Sequence, residues 1–438
     1  MKKVRNLKKR YALVGTGIRG TSMFLEPLVK EYGDVAEVVS VCDLNPKRAR
    51  FALEKAGIQA SVYTDFDQML AAVDFDVVII ASPDYSHHDY IIKAMRAGKE
   101  VISEKPMTID AEKCRAIFQA EKETGKNVCV TFNLRFVPYL GKIKELLASG
   151  IVGDIYAVDF KWYLDTWHGV DYFRRWHAHM ANSGSLLIHK STHHLDLVNW
   201  FISQEPKQVY AEADLNFFGK DKQPHGERCK TCEHEAKCPY YLDLESEEIL
   251  KELYLDHEDV DGYHRDKCVF SSEIDIYDTM SLLVRYDQGA ILNYSLIACA
   301  PFEGWEMAIS GSKGRLECGI DQRFFTEETF SLSERIKTAK SVDFKKAAFG
   351  DYNELKEDII RFYPLYGGAE AIVVPRDTSD HGGGDRRLRD YLFNGYSEDP
   401  LGKMAGSKAG AMSLLIGAAA NEAIKTGKPI KIKDLLAD

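Results

Sequence analysis

Apolar residues in the first third of the chain alternate between short continuous runs and helix-spaced patterns. Runs of the kind that form buried strands occur at Tyr11–Val14, Ala36–Cys42, Val77–Ala81, Glu100–Ile102 and Val128–Thr131. Between them, apolar positions follow the spacing of amphipathic helices, at Arg19–Glu31, Pro46–Ala56, Phe66–Ala72, Ser86–Ala97 and Asp110–Thr124. This alternation predicts a parallel sheet covered by helices.

The pattern changes after Asn133. Longer strand-like segments follow one another with turn signals between them, at Ile155–Leu164, Gln208–Phe218, Thr279–Gly289 and Ala290–Ala300. Such a succession favours an antiparallel sheet, and Met412–Ile430 indicates a late helix that ends at Gly427 and Pro429. We therefore predict two domains, at residues 1–132 and 133–438, with a charged, cysteine-containing insertion at about 219–275.

Composition and charge argue against some classes of partner and location. The chain has 438 residues, of which 45% are hydrophobic, enough for one or two large cores. Its net charge of −10 and the lack of a long Lys/Arg block disfavour a nucleic-acid partner. No run of about 18 uncharged apolar residues is present, and no export signal follows the basic start, so we expect a cytoplasmic protein without a membrane partner. Nine cysteines at this length also fit a reducing compartment.

A glycine-rich turn follows the first predicted strand. Gly15, Gly17 and Gly20 fit G-x-G-x-x-G and lie between a strand and a helix, the context in which this motif binds a dinucleotide. Gly15 would allow the tight turn, Gly17 would let the backbone approach a pyrophosphate, and Gly20 would let the helix pack on the strand. A purely structural turn is the other interpretation.

An acidic residue at the end of the second predicted strand supports the dinucleotide interpretation. Asp43 lies where a carboxylate holds the ribose hydroxyls in this fold, and it would repel a 2′-phosphate. We therefore predict NAD as the cofactor. Lys47 and Arg48 nearby keep NADP as an alternative.

The fourth predicted strand ends in a Glu-Lys-Pro triplet at the carboxyl edge of the sheet, where ligands bind in open α/β folds. Pro106 fixes the backbone after Lys105, so the ammonium group is held at the cofactor edge. There it could hydrogen-bond a substrate hydroxyl, and partial desolvation would lower its pKa. A surface lysine is the alternative.

Two histidines lie in the segment Ala181–Phe201. His189 and His193 are four residues apart and would share one face of a helix, with Asp196 close behind. Histidine is the side chain best suited to move a proton near neutral pH. Helix-packing or capping roles, or a divalent metal held by both histidines, stay open.

Together these motifs resemble the glucose-fructose oxidoreductase and inositol dehydrogenase (Gfo/Idh/MocA) family. The resemblance covers nearly the whole chain and includes the "NLRF" stretch at Asn133–Phe136. It implies an N-terminal Rossmann dinucleotide-binding domain and a C-terminal α/β domain with a large open, mainly antiparallel sheet. It also implies NAD(P)-dependent oxidation of a small-molecule carbohydrate or polyol, and assembly as a homodimer or homotetramer through that sheet.

The resemblance also implies roles for single residues. Lys105 would polarise the oxygen of a ring hydroxyl, and His193 would take its proton while the hydride passes to the nicotinamide. The family pattern G-x-x-x-x-D-x-x-x-H has an Asp where this chain has His189, which we carry over as a third catalytic candidate. The implied cofactor-binding residues are Gly15, Gly17, Ile18, Arg19, Gly20, Asp43, Ser82, Pro83, His87, Glu104, Lys105 and Asn133.

Two other functions stay open. Some proteins similar to this family use NAD transiently: they oxidise a sugar, eliminate the neighbouring glycosidic substituent, add water and reduce again. Such an enzyme is a glycosidase that consumes no free NAD. The other alternative is a non-catalytic NAD- or sugar-binding protein, against which Lys105 and His193 argue.

The insertion carries a cysteine cluster. Cys229, Cys232 and Cys238 are followed by Cys268, and C-x2-C is the spacing of a metal knuckle. Four thiolates would complete a closed tetrahedral site, so we predict structural zinc, with packed free thiols or an iron–sulfur cluster as alternatives.

A glycine-rich stretch at Asp380–Gly395 has charges of both signs. It is interpreted as a solvated loop leading into a helix, or as a loop closing over the substrate with His381 or Asp385. Side chains that could stack on or hydrogen-bond a sugar ring are Tyr163, Trp167, Trp176 and His179.

Overall fold

A computed structural model describes residues 8–321, 356–396 and 398–437. Its strands are β1 (Lys9–Val14), β2 (Ala36–Cys42), β3 (Ser61–Tyr63), β4 (Val77–Ile80), β5 (Glu100–Ser103), β6 (Val128–Val130), β7 (Ile155–Asp165), β8 (Pro206–Asp214), β9 (Thr279–Tyr286), β10 (Ile291–Ala300), β11 (Gly304–Gly311), β12 (Gly314–Asp321), β13 (Glu357–Pro364), β14 (Glu370–Pro375), β15 (Ala405–Gly406) and β16 (Ile430–Lys431). Its α-helices are α1 (Glu26–Lys30), α2 (Pro46–Ala56), α3 (Phe66–Ala72), α4 (His87–Arg96), α5 (Ala111–Thr124), α6 (Pro138–Ala148), α7 (Thr166–Val170), α8 (Met180–Ser183), α9 (Leu186–His189), α10 (Ser191–Ile202), α11 (Glu248–Leu253), α12 (Glu258–Asp261), α13 (Gly384–Phe393), α14 (Ser407–Thr426) and α15 (Ile432–Leu436).

The chain forms two compact units, each assembled from separate stretches of sequence. The first unit contains the described residues of Met1–Phe136, Glu245–His264 and Gly384–Ala411. The second contains those of Val137–Leu244, Arg265–Gly383 and Met412–Asp438. Part of the charged insertion thus belongs to the first unit.

The first unit is built on a seven-stranded sheet in the order β15-β6-β5-β4-β1-β2-β3. Strands β1 to β6 are parallel, and β15 pairs antiparallel with β6. Every residue of β4 is buried, because helices cover both faces of such a sheet and leave no polar side. The predicted parallel sheet is confirmed. Strand β3 was not predicted, since three residues at the sheet edge are too short to show a pattern.

Helix boundaries in this unit follow local signals. The Asn45 side chain accepts a hydrogen bond from the N–H of Arg48 at the start of α2, and Gly57 ends the helix with a φ of 77°. Asp110 caps α5 in the same way. The first predicted helix has the expected extent, but Gly20–Leu25 forms a π-helical turn before α1.

The second unit is built on a nine-stranded sheet in the order β14-β13-β12-β11-β7-β10-β9-β8-β16. Neighbouring strands are antiparallel except β7 and β10, which run parallel. Burial alternates along β9 and β10, as expected when one face packs on the core. The predicted large, mainly antiparallel sheet is confirmed.

One predicted strand, Gln208–Phe218, was too long. Strand β8 ends at Asp214 because the buried carboxylate of Asp278 accepts hydrogen bonds from three successive N–H groups, of Asn216, Phe217 and Phe218. These donors are then no longer available to a sheet ladder.

The late helix α14 begins before the predicted Met412 and ends at Thr426, followed as predicted by Gly427, which has a φ of 67°. Among the helices of the described residues, none is both long and apolar enough to cross a membrane.

Candidate active site

The glycine turn between β1 and α1 leaves no room for side chains. Gly15 has a φ of 87°, and a Cβ there would lie 2.6 Å from the carbonyl oxygen of Ala81. A Cβ on Gly20 would lie 2.0 Å from the carbonyl oxygen of Gly15. The predicted tight turn and close packing are confirmed. A Cβ on Gly17 would lie 3.1 Å from the hydroxyl oxygen of Tyr254.

Asp43 lies at the end of β2, as predicted, and its carboxylate is fixed beside the glycine turn. Oδ2 accepts from the N–H and Oγ1 of Thr16, at 2.7 and 2.8 Å, and Oδ1 accepts from the N–H of Asn45 at 2.9 Å. Arg48 Nη1 lies 3.2 Å from Oδ1. Burial alone would lower the pKa of Arg48, but Asp43 and Asp261 outweigh it and raise that pKa. The turn and this oriented carboxylate fit the pyrophosphate and ribose of a dinucleotide.

A segment from the predicted insertion reaches this turn. The hydroxyl of Tyr254 accepts a hydrogen bond from the N–H of Ile18 at 2.9 Å. Asn45 Nδ2 donates to the carbonyl oxygen of His257 at 2.8 Å. No sequence motif pointed to Tyr254, because this contact joins residues 236 positions apart.

Two residues implied by the resemblance, Arg19 and Asn133, contact Asp385, and a third, Glu104, pairs with Arg19. Arg19 Nε lies 2.8 Å from Glu104 Oε1, and its Nη1 lies 3.1 Å from Asp385 Oδ2. Asn133 Nδ2 donates to Asp385 Oδ1 at 2.6 Å. Burial alone would lower the pKa of Arg19. The carboxylates of Glu104 and Asp385 outweigh this effect and raise the pKa above its ordinary value. Asp385, a candidate substrate contact from the sequence, is buried in this network and fixes the side chain of Arg19.

Lys105 follows β5 at the carboxyl edge of the sheet and is partly buried. Its backbone N–H donates to Glu104 Oε2 at 3.1 Å, and its peptide bond to Pro106 is cis. Burial lowers the pKa of the Lys105 amine, against the opposing effect of the Asp84 and Glu104 carboxylates. This is the direction of shift that the sequence predicted.

His87 connects the loops that contain Ser82 and Pro106 at the same edge of the sheet. Its Nδ1 is 2.8 Å from the carbonyl oxygen of Pro106, and its Nε2 is 2.8 Å from that of Ser82. The Oγ of Ser86 donates to the carbonyl oxygen of Pro83 at 2.7 Å. Burial lowers the pKa of His87. The implied residues Ser82, Pro83 and His87 therefore hold this edge in shape.

The two candidate histidines of the second unit lie on different helices. His189 ends α9, whereas His193 is buried on α10, and the helical run is interrupted at Lys190. The ring of His189 lies 4.2 Å from that of His177 and 5.5 Å from that of Tyr172. The two residues therefore do not lie on one continuous helix, which the predicted shared face assumed.

His189 belongs to a group of rings that we call the histidine–aromatic cluster, made of His168, Tyr172, Trp176, His177 and His189. Trp176 stacks on His177 at 3.7 Å, and His168 bridges Glu303 and the Tyr172 hydroxyl, each at 3.1 Å. Flat ring faces beside imidazole and hydroxyl groups can stack on a sugar ring and hydrogen-bond its hydroxyls. Trp176, one of the predicted stacking residues, lies in this cluster.

His194 has a different environment from its neighbour His193. Its Nδ1 is 2.7 Å from the Tyr294 hydroxyl, and its ring stacks on Trp162 at 3.8 Å. It is fully buried, so its contacts stabilise the second unit.

The four cysteines of the predicted zinc site lie in the second unit. Cys229 Sγ accepts from the N–H of Leu242 at 3.4 Å, and Cys268 Sγ accepts from that of Phe270 at 3.5 Å. Tetrahedral zinc needs four donor atoms around one point. In the part of the chain that the structure describes, no group of three or more His, Cys, Asp or Glu side chains is arranged to hold a metal ion. The structure therefore does not support zinc at Cys229, Cys232, Cys238 and Cys268, or metal binding by His189 and His193.

Comparison with known families agrees with this geometry. Residues 9–132 match the oxidoreductase family's NAD-binding Rossmann fold, and residues 144–432 match its C-terminal α/β domain. The chain belongs to the Gfo/Idh/MocA family of oxidoreductases.

Individual relatives and solved structures show what the chain is similar to. The protein named "Putative oxidoreductase YteT" of Bacillus subtilis is 35% identical over 98% of both chains. The inositol 2-dehydrogenase/D-chiro-inositol 3-dehydrogenase of Lactiplantibacillus plantarum is 26% identical over 45% of this chain and 53% of its own length. Among solved structures, a levoglucosan dehydrogenase in complex with NADH and levoglucosan is 17% identical, with a TM-score of 0.65, covering 97% of this chain and 100% of that one. At this identity the structural likeness establishes the fold.

Proposed function

We propose that this protein is an NAD-dependent dehydrogenase that oxidises a ring hydroxyl of a sugar, glycoside or inositol to a ketone. The observation that carries the proposal is Lys105, an amine whose pKa is lowered by burial at the carboxyl edge of the NAD-binding sheet. The histidine–aromatic cluster supports a carbohydrate or polyol substrate. The names of the inositol and levoglucosan dehydrogenases point to the same substrate class.

The cofactor, when bound, supplies the hydride acceptor, and the residues of the chain manage the proton and the orientation. Lys105 donates a hydrogen bond to the reacting hydroxyl oxygen and stabilises the negative charge that develops there. His193 accepts the hydroxyl proton at a ring nitrogen. His189 and its neighbouring rings orient the substrate.

NAD is favoured over NADP by two carboxylates. Asp43 lies beside the ribose position and repels a 2′-phosphate. Arg48, the cation that could receive such a phosphate, is already paired with Asp43 and Asp261. We also propose that the protein assembles as a homodimer or homotetramer, which light scattering on a sizing column would test.

The test is one reaction followed in two ways. Purified protein is incubated with NAD and a panel of sugars, inositols and chromogenic glycosides, while NADH absorbance and products are measured. Accumulation of NADH together with a keto product supports the proposal. Glycoside cleavage without NADH would assign the protein to the oxidation–elimination glycosidases. NADH binding without turnover of any compound would favour a binding protein.

A lysine variant tests the mechanism. We expect Lys105→Met to lower kcat by about 100-fold or more and to leave NADH affinity nearly unchanged, because losing one donor to a developing oxyanion typically costs that much. Lys99→Met is the matched control, since the Lys99 Nζ donates to the Phe75 carbonyl in the same unit. If Lys105→Met kept most of the turnover, its assignment would be wrong.

A further inference from the structure

The segment Glu245–His264 is separated in sequence from the rest of the first unit, yet it packs on the glycine turn. The Tyr254 hydroxyl accepts from the Ile18 N–H at 2.9 Å, and it lies within 3.1 Å of where a Cβ on Gly17 would be. The hydroxyl therefore lies directly over the backbone of the dinucleotide motif.

Arg48 fixes this segment to the start of α2. Its Nε donates to the carbonyl oxygen of Leu253 at 3.0 Å, and its Nη2 lies 2.6 Å from Asp261 Oδ2. The side chains of Arg48 and Asp261 are 10% and 16% exposed, so their ion pair is shielded from water. The guanidinium carbon also lies 5.3 Å from the centre of the Tyr254 ring.

Two further contacts join the same surfaces. Asn45 Nδ2 donates to the carbonyl oxygen of His257, and Lys47 forms an ion pair with Asp259 at 2.9 Å. The Lys47–Asp259 pair is exposed, so it adds little to the attachment. The buried contacts of Arg48 and Asn45 therefore hold the segment in place.

The contact of Tyr254 with Ile18 conflicts with cofactor binding. A glycine turn at a helix start binds pyrophosphate through its free N–H groups, which point at the phosphate oxygens. The Ile18 amide has one proton, and the Tyr254 hydroxyl already accepts it. A phosphate oxygen that takes this hydrogen bond has to displace the hydroxyl.

We propose that Glu245–His264 is a cover over the dinucleotide site. In the closed form, in which the Ile18 N–H donates to the Tyr254 hydroxyl, that hydroxyl occupies the place of a phosphate oxygen, and it moves away when the pyrophosphate binds. The proposal rests on NAD binding by the first unit and is independent of the substrate.

NADH titration and stopped-flow association test the cover. Tyr254→Phe removes the competing hydroxyl, so we expect NADH to bind about three- to tenfold more tightly, mainly through faster association, as the loss of one hydrogen bond in the closed form implies. Asp261→Asn loosens the attachment to Arg48 and should act in the same direction.

Two matched variants control for side effects. Tyr32→Phe removes another hydroxyl of the same unit, which donates to Asp390 at 2.7 Å, and Asp259→Asn breaks only the exposed pair with Lys47. Both should bind NADH like the parent. Weaker binding by Tyr254→Phe would mean that the hydroxyl holds the bound cofactor, and an unchanged affinity would mean that it does not compete. Either result overturns the proposal.

Hydrogen exchange separates this proposal from the question of function. Peptides from 245–264 should exchange faster when NADH is bound to the parent protein, because the cover has opened. Slower exchange in that segment would contradict the cover even if the enzyme turns over a sugar. Absence of NADH binding to the parent would instead refute the proposed dehydrogenase.

Discussion

Arg19 and Glu104 form an ion pair at the carboxyl edge of the parallel sheet, with Nε and Oε1 2.8 Å apart. Arg19 comes from the glycine turn, Glu104 follows β5, and Asp385 from the start of α13 contacts the same guanidinium. One cation therefore ties three separate parts of the first unit together beside Lys105.

Removing this cation should destabilise the first unit. Arg19→Met leaves the buried carboxylates of Glu104 and Asp385 without their counter-charge. We expect a loss of about 2 kcal/mol in the free energy of unfolding, below the roughly 3–5 kcal/mol of a fully buried pair because the Arg19 side chain is 35% exposed. Urea unfolding measures it. Arg96→Met, which breaks an exposed pair with Glu123 at 2.9 Å, should have little effect, and equal losses in both variants would contradict the argument.

Two alanine variants test how tightly the glycine turn is packed. Both replace a glycine with positive φ, but they differ in the room available to the new Cβ. Gly57→Ala, at a φ of 77° with open space around it, should cost about 1 kcal/mol of stability. Gly15→Ala has a similar φ and also brings a Cβ to 2.6 Å from a carbonyl oxygen, so we expect about 3 kcal/mol and a loss of NADH binding. Thermal unfolding and NADH titration check both. Similar behaviour of the two variants would show that the close contact is relieved elsewhere.

Variants of the two adjacent histidines on α10 distinguish a catalytic role from a packing role. His193→Asn should lower kcat by about 100-fold or more, because it removes the proposed proton acceptor. His194→Asn loses the stacking on Trp162 and should lower thermal stability while the remaining folded protein keeps its turnover. Steady-state kinetics and unfolding on the same preparations distinguish them. The assignment fails if His193→Asn retains normal kcat.

The ion pairs of Asp171 with neighbouring arginines should make the stability of the second unit depend on pH. Burial alone would raise its pKa, but Arg265, Arg175 and Arg174 outweigh it and hold the pKa well below its usual range. A carboxyl with a depressed folded pKa contributes stability above its unfolded pKa of about 3.9 and loses it as pH falls below that value. Asp171→Asn should therefore cost about 1–2 kcal/mol at neutral pH and progressively less below about pH 4.

Urea unfolding of parent and variant from pH 7 to pH 3 measures this dependence. Asp214→Asn, which breaks an exposed pair with Lys220, is the control and should follow the parent closely. A cost of Asp171→Asn that stays constant across this range would show that the arginines stabilise the fold by packing rather than by charge.

Much of the first unit could be predicted because its signals are local. Strand β4 is buried on both faces and therefore reads as an unbroken apolar run. Asn45 and Asp110 cap their helices through residues only three positions away. The glycine spacing and Asp43 likewise depend on a single strand–turn–helix unit.

The rest of the candidate site depends on contacts that no local pattern encodes. Asp385 lies 366 positions after Arg19, and Tyr254 lies 236 positions after Ile18. Near the histidines, Ser185 adopts a φ of 74° and the helix breaks at Lys190, a backbone path that apolar spacing does not indicate.

The three-part composition of the first unit has a consequence for its biosynthesis. Its sheet begins with β1, but Arg19 obtains Asp385 as a partner only 366 residues later, and β6 obtains β15 as an edge strand only when residues 405–406 have been made. Chains emerge at about 5–20 residues per second, whereas local structure forms in microseconds to milliseconds. The nascent parallel sheet must therefore wait for many seconds with one edge unpaired and a charged network incomplete. The NAD-binding unit combines segments that lie hundreds of residues apart, so its dependence on chaperones should exceed that of a contiguous Rossmann domain.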